Sequence, residues 1–182
     1  MRLKNFPSLK EKTIWQEGSE MEKPSVKHSR ESMIETRHYL LPKDANLHGT
    51  AFGGHIMSLI DGTAAMTASL HCNRPVVTAS IDSLSFCEPI KVSEHVVLKA
   101  RVTYTGRTSM EVSVLVKKVN PITMETAVAT TAFISFVAIG EDGNPCEIPQ
   151  LLCDTEEERK SFDIAKQRVA ARKAHRSECI DF

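Results

Sequence analysis

The stretch from Asp44 to Gly54, DANLHGTAFGG, combines residue types that could carry out chemistry on an acyl group. It contains a carboxylate, Asp44, and a carboxamide, Asn46, and it leads into a long apolar segment that predicts a helix. If that helix begins near Gly53, the N–H groups of Gly53 and Gly54 have no intrahelical acceptor and can stabilise a carbonyl oxygen that becomes negative. A carboxylate and an amide beside them could orient or deprotonate a water. The stretch therefore predicts a hydrolytic site for an acyl group.

The same residues also form an ordinary turn sequence. Asp and Asn side chains readily hydrogen-bond to their own backbone, and KDANLHG is a typical turn of this kind. Polar loops before helices are common and few of them are catalytic. Spacing alone therefore favours the turn interpretation.

The segments around this loop predict one helix and several strands. GGHIMSLIDGTAAMTASLHCN has apolar residues around most of its helical circumference and ends at Asn73 and Pro75, so a helix buried on nearly every side is expected. Alternating apolar and polar residues predict strands in MIETRHYLLP, PVVTASIDSLSFCEPI, EHVVLKARVTYTG, RTSMEVSVLVKKV and METAVATTAFISFVAIG. The short TGRTS link predicts that the third and fourth of these strands are hairpin neighbours.

A C-terminal helix is predicted after these strands. Thr155 and Glu158 form a capping-box signature, and basic residues follow towards the helix end. The predicted fold class is α+β, with an antiparallel sheet that wraps one long buried helix. The domain lies at residues 33–145, between a polar N-terminal extension at 1–32, expected to be mobile, and a C-terminal tail at 146–182.

Composition excludes several classes of function. Lys and Arg together number 23 and equal the 23 Asp and Glu residues, so the formal charge is zero and nothing suggests nucleic acid as a partner. No apolar run reaches the roughly 18–20 residues that cross a bilayer, so no membrane insertion is expected. The N-terminus lacks the apolar region of a secretory signal. The spacing of the five cysteines shows no pattern typical of disulfides or metal ligands. These features predict a cytoplasmic protein.

The motifs DANLHGTAFGGHIMSLID, VTASIDSLSFCEPI and YTGRTSMEVSV, in this order, resemble the hotdog-fold acyl-CoA thioesterase (acyl-CoA hydrolase) family with brain-type cytosolic and small bacterial members. The resemblance implies hydrolysis of fatty acyl-CoA to free fatty acid and CoA, with Asp44 as general base or nucleophile. It further implies that Asn46 holds the water or substrate and that Gly53 and Gly54 form the oxyanion hole. Asp61 is the second choice for the carboxylate, because a charge in so apolar a helix needs a partner or a function.

The resemblance also implies that coenzyme A is bound through its phosphates. Arg107, Thr108 and Ser109, within GRTS, match the segment of the family that contacts CoA, although a plain hairpin turn with a solvated Arg explains them equally well. Arg168 and Arg172 could reach the nucleotide phosphates, although complementation of the helix dipole is favoured for them. His48, His55 and His71 follow no metal-ligand pattern. Neither a metal nor a cofactor is expected, and CoA enters only as part of substrate and product.

Members of this family pair their sheets into dimers with the active site at the interface, and many assemble further as trimers of dimers. A homodimer and then a hexamer are therefore expected, and a free sheet edge makes pairing physically reasonable. Two other functions remain open. A hotdog dehydratase acting on hydroxyacyl thioesters could recruit His48 or His55, and a non-enzymatic acyl-CoA sensor would keep the pocket without the base.

Overall fold

Five long strands form one antiparallel sheet in the computed structural model, which describes residues 26–178. The strands lie in the order β2-β4-β5-β6-β3, so β2 and β3 are its edges. Their bounds are β2 Ile34–Tyr39, β3 Val76–Phe86, β4 His95–Thr105, β5 Ser109–Val119 and β6 Thr126–Ala138. Each of the five predicted strands is confirmed, and β4 and β5 are hairpin neighbours as expected.

Helix α1, Gly53–Cys72, packs along one face of this sheet, here called the inner face. Its buried residues recur at helical spacing, as Ile56, Ile60, Ala64 and Ala68. They meet the apolar residues that alternate along the central strands, among them Val112, Val114, Ile134 and Phe136. The helix ends where Asn73 adopts a left-handed conformation with φ 50°, which confirms the predicted stop.

Helix α1 is covered on one side only within a single chain. Met57, Met66 and Leu70 are 42%, 45% and 48% exposed. This differs from the expectation of burial on nearly every side, because five strands curl around one face of the helix and leave the side next to β3 open. The open side of α1 and the edge strand β3 together form an uncovered apolar ridge.

Helix α2, Glu156–Glu178, packs against the opposite, outer face of the sheet. Its predicted capping box is confirmed, since the Glu158 N–H donates to Thr155 Oγ1 at 3.1 Å and the Thr155 N–H donates to Glu158 Oε2 at 3.2 Å. Ala165 and Val169 are its buried apolar residues. The sheet therefore lies between two helices.

The described structure begins before the predicted domain boundary at residue 33. Strand β1, Val26–His28, pairs in parallel with β7, Gln150–Leu152, and a 3₁₀ turn, Ser29–Glu31, follows it. The last residues of the predicted extension are therefore part of the fold, because short strands without periodicity give no signal in sequence. Residues 1–25 of that extension lie outside the described residues. No helix in the described part of the chain is both long and apolar enough to span a bilayer.

Candidate active site

Asp44 lies at the end of a 3₁₀ turn, Pro42–Asp44, and the loop at residues 45–52 connects this turn to α1. Its Oδ2 accepts a hydrogen bond from the Leu41 N–H at 3.0 Å, and its carbonyl oxygen accepts one from the Phe52 N–H at 2.8 Å. Its Oδ1 is 3.8 Å from Nδ1 of His55, in the first turn of α1. One carboxylate oxygen therefore holds the turn, as the turn interpretation predicts.

Asn46 organises the tight turn at residues 46–49. Its Oδ1 accepts hydrogen bonds from the His48 N–H at 2.9 Å and the Thr50 N–H at 3.3 Å, and its Nδ2 donates to Thr50 Oγ1 at 2.9 Å. Gly49 has φ 73°, a conformation that favours glycine and closes the turn. The turn places Leu47 at its tip, fully exposed.

The N-terminus of α1 offers backbone donors, as predicted. The N-cap residue, Phe52, makes no side-chain hydrogen bond to the helix, and the first helical bonds run from the His55 and Ile56 N–H groups to the Phe52 carbonyl. The N–H groups of Gly53 and Gly54 precede these bonds at the positive end of the dipole. A Cβ on Gly54 would lie 2.5 Å from the Phe52 ring, so a larger residue at this position would require the exposed Phe52 ring to move.

Asp61 lies two turns farther along α1, on the side of the uncovered ridge. Its Oδ1 accepts a hydrogen bond from Thr78 Oγ1, on the edge strand β3, at 2.8 Å. Among the described residues, Thr78 is the one donor to this carboxylate. Sequence reasoning missed Thr78, since a threonine in a strand is common and its pairing depends on how β3 runs back along α1.

Hydrogen bonds of His38 and Thr36 connect the inner side of β2 to helix α1. His38 Nε2 lies 3.1 Å from Thr36 Oγ1, which in turn lies 3.3 Å from Thr63 Oγ1 on α1. Burial lowers the pKa of His38, and the charge of His55 adds to this effect. Both effects favour the neutral imidazole of His38.

A cavity of about 330 Å³ opens beside the start of α1. Ile56 and Ile90 belong to the buried core, and Phe86 is a half-exposed wall residue at the end of β3. The whole lining consists of Ala51, Gly53, Ile56, Phe86, Cys87, Glu88, Pro89 and Ile90. An apolar cavity next to free backbone donors suits a ligand with a hydrocarbon part and a carbonyl.

Arg107, Thr108 and Ser109 lie at the turn between β4 and β5. The Arg107 side chain is 77% exposed and Nη1 lies 3.4 Å from Glu147 Oε1. Strand register places this turn at the opposite end of the sheet from Asp44, because Tyr39 pairs with His95 and His95 with Val119. Within one chain the predicted CoA residues and the predicted catalytic loop are therefore far apart.

Arg168 and Arg172 are paired with carboxylates of the sheet. Arg168 donates to both oxygens of Glu111, from Nη2 at 2.7 Å and from Nε at 3.2 Å, and its guanidinium lies 3.8 Å above the Phe133 ring. Arg172 forms an ion pair with Asp82. These contacts fix α2 to the outer face and disfavour the prediction that the two arginines bind CoA phosphates.

Comparisons with known proteins agree on the family. The profile of the Thioesterase superfamily matches residues 48–125. An uncharacterised acyl-CoA thioester hydrolase of Bacillus subtilis, YkhA, is 41% identical over 153 residues, which are 84% of this chain and 89% of the relative. The cytosolic acyl-CoA thioester hydrolase of Rattus norvegicus is 36% identical over 155 residues, and the chain spans 40% of the length of that relative.

Solved structures agree with this result. A hexameric acyl-CoA thioesterase without ligand superposes with a TM-score of 0.79 at 41% identity, covering 82% of this chain and 96% of the other. An acyl-CoA hydrolase of Staphylococcus aureus, bound to butyryl-CoA, CoA and CoA disulfide, has a TM-score of 0.79 at 37% identity, covering 84% and 93%. Three variants of this enzyme replace one aspartate, one threonine and one asparagine by alanine. The chain thus belongs to the hotdog-fold acyl-CoA thioester hydrolases of the Thioesterase superfamily.

Proposed function

We propose that this chain hydrolyses fatty acyl-CoA to a free fatty acid and CoA, with Asp61 as general base. The observation that carries the proposal is the Asp61 carboxylate on the uncovered ridge, to which Thr78 alone donates among residues 26–178. An oriented carboxylate with a free oxygen can take a proton from water. A thioester carbonyl is reactive and thiolate is a good leaving group, so a base and an oxyanion hole suffice without a cofactor.

Asp61 is preferred over Asp44, the first choice from sequence, because the two carboxylates differ in their hydrogen bonds and in their exposure. Asp44 uses Oδ2 to cap the turn at Leu41, and its side chain is only 13% exposed. Within the described part of the chain, Asp61 has one hydrogen bond, and it lies on a surface that the single chain leaves open. Asp44 is therefore assigned to shaping the loop.

The variants of the S. aureus enzyme support the same choice. In the order asparagine, aspartate, threonine, the spacings between their positions equal those between Asn46, Asp61 and Thr78 of this chain. Asn46 and Asp61 are then the side chains that hold and activate the water, while Thr78 positions the carboxylate.

The proposed base and the proposed oxyanion donors can act on the same thioester only if they come from two different chains. An α-helix rises 1.5 Å per residue, so Asp61 lies about 10–12 Å along the axis from the N–H groups of Gly53 and Gly54. A base must approach the attacking water to about 3 Å while the oxyanion donors hold the same carbonyl. We infer that Asp61 of one chain faces Asn46 and the α1 N-terminus of a second chain.

A homodimer built on the β3 edges provides this arrangement. Antiparallel pairing of two β3 strands would cover Met57 and Ile81 and would bring the Arg107 turn of one chain towards the α1 N-terminus of the other. Arg107, Thr108 and Ser109 would then contact CoA phosphates. The hexameric state of a solved relative supports a further step to a trimer of dimers.

The proposed reaction follows from these positions. Asp61 takes a proton from the water that Asn46 holds, and the resulting hydroxide attacks the carbonyl carbon. The N–H groups of Gly53 and Gly54 stabilise the oxyanion, and CoA leaves as the thiolate, which takes up a proton. The cytoplasm suits the chain, because Cys72, Cys87, Cys146 and Cys153 are free thiols.

Release of CoA thiol from acyl-CoAs of increasing chain length tests the proposal. We expect hydrolysis by the wild type, a loss of about 10²-fold or more in kcat for Asp61→Asn, and a loss below about tenfold for Asp44→Asn. Both substitutions remove one charge and keep the size of the side chain, so each serves as the control for the other.

The other outcomes identify the alternatives. Binding of acyl-CoA without thiol release by the wild type would indicate the sensor, and loss of water from hydroxyacyl-CoA would indicate the dehydratase. A large loss in Asp44→Asn with an active Asp61→Asn would return the base to Asp44.

A further inference from the structure

We propose that the cavity beside the start of α1 receives the acyl chain of the substrate and that Phe86 sets the longest chain accepted. This inference rests on the proposed function and adds the residue that determines its specificity. It concerns straight aliphatic acyl groups, because the cavity walls at Ala51, Ile56, Pro89 and Ile90 are apolar.

Phe86 lies directly against the proposed oxyanion donors. A Cβ built on Gly53 would be 3.4 Å from Cζ of the Phe86 ring, so the ring touches the first residue of α1. A thioester whose carbonyl oxygen binds the N–H groups of Gly53 and Gly54 therefore has this ring close to its acyl chain. Phe86 forms one wall of the space that the acyl chain would enter.

Two of the other cavity walls are rigid residues. Ile56 is 1% exposed and Ile90 is 4% exposed, and both belong to the close-packed core. Phe86, by contrast, is 53% exposed and touches solvent at the mouth. Of these three residues, Phe86 is the one whose size can change without a hole in the core.

The backbone favours a fixed position for the Phe86 ring. Phe86 is the last residue of β3 and pairs with Thr130 of β6. The next residue, Cys87, donates its N–H to the Ala129 carbonyl at 2.8 Å, which continues the attachment of this segment to β6. The backbone of Phe86 is thus held beside the cavity by the sheet, which limits where its ring can lie.

A chain-length profile with paired substitutions tests the inference. We expect Phe86→Ala to raise kcat/KM for palmitoyl-CoA relative to butyryl-CoA by about tenfold or more, and Phe86→Trp to lower this ratio, because one methylene more or less in an apolar pocket is worth about 10–200-fold. Ile122→Ala is the matched control, since Ile122 is 90% exposed in the turn after β5 and lines no part of the cavity.

Two outcomes would overturn the inference for different reasons. A wild type that releases no CoA thiol would remove the proposed function, and the inference with it. An active wild type whose ratio stays within about twofold in both Phe86 variants would leave the function intact and exclude Phe86 as the determinant. If Phe86→Ala fails to fold, Phe86→Leu and Phe86→Trp still decide between these results.

Discussion

Glu111 and Asp61 are carboxylates on opposite sides of the same sheet, and their surroundings differ completely. Glu111 is fully buried beneath α2 and accepts hydrogen bonds from Thr103 Oγ1 at 2.9 Å and from two nitrogens of Arg168. Asp61 is only partly buried, and of the described residues Thr78 alone donates to it. Saturation with donors removes the capacity of a carboxylate to accept a further proton from water, whereas a single donor orients it and leaves that capacity intact. We therefore expect Glu111 to serve stability, whereas Asp61 is the proposed base.

The strongest test of this difference is removal of each carboxylate. We expect Glu111→Ala to lower the free energy of unfolding by about 3–5 kcal/mol, because Arg168 loses its partner under α2. Urea unfolding followed by circular dichroism measures this change. Asp61→Ala should cost under about 1 kcal/mol in the same measurement, and a comparable loss in both variants would contradict the comparison.

A conservative substitution of Arg168 tests whether this residue stabilises the fold through Glu111 or binds CoA. Arg168→Lys keeps the charge but loses the two-point contact with Glu111 and the stacking on Phe133, so we expect a loss of about 1–3 kcal/mol in stability. The KM for acyl-CoA should stay unchanged. A raised KM with unchanged stability would restore the prediction that Arg168 contacts CoA.

Asp44 is intermediate between Glu111 and Asp61, because one of its carboxylate oxygens accepts a hydrogen bond within the turn. Asp44→Ala should lose about 0.5–2 kcal/mol of stability, the usual cost of a lost cap. Asp44→Asn can still accept from the Leu41 N–H and should retain most of that stability. Thermal unfolding of the two variants measures the difference, and equal melting temperatures would show that the cap contributes nothing.

The smallest expected effect is the dependence of stability on pH that comes from the buried base His71. Its Nε2 lies 3.2 Å from the Pro149 carbonyl and its Nδ1 lies 3.2 Å from Ser32 Oγ. Burial lowers the pKa of His71 below its usual value, and the charge of Lys27 adds to this while the Pro149 carbonyl and Glu31 oppose it. The folded state therefore binds fewer protons than the unfolded state, and stability is lost as the pH falls below about 6.5.

Melting temperatures measured between pH 7.5 and pH 5.5 test this sign. We expect the wild type to lose a few degrees more than His71→Gln over this interval. The comparison uses the slope with pH, so a general destabilisation of the variant does not affect it. A steeper slope in His71→Gln would show that the buried imidazole is protonated in the folded state.

The sequence was sufficient to predict most of the secondary structure. The bounds of α1 follow from apolar spacing and the stop at Asn73, and the five long strands follow from alternation. The sequence could not predict contacts that depend on which faces meet. From the sequence alone, Glu111 is expected on a strand face that is partly exposed to solvent. It is buried because α2 packs over that face.

The candidate site was predictable to a similar degree. The loop, the glycines and the position of the helix N-terminus were recognised from their residue types. The proposed choice of Asp61 over Asp44 does not follow from the sequence, because it depends on the Leu41 N–H next to one carboxylate and on Thr78 next to the other. Such partners are set by strand register and turn geometry, to which single residues contribute little signal.

The pairing of β1 with β7 has a consequence for how the protein is made. β1 leaves the ribosome early, but its partner is synthesised only after the whole five-stranded sheet. During this time Glu111 has no Arg168 and remains hydrated on an open outer face, so the sheet can form without burying an uncompensated charge. The tail that carries β7 and α2 is therefore the last part of the fold to be synthesised, and it brings Arg168 to Glu111.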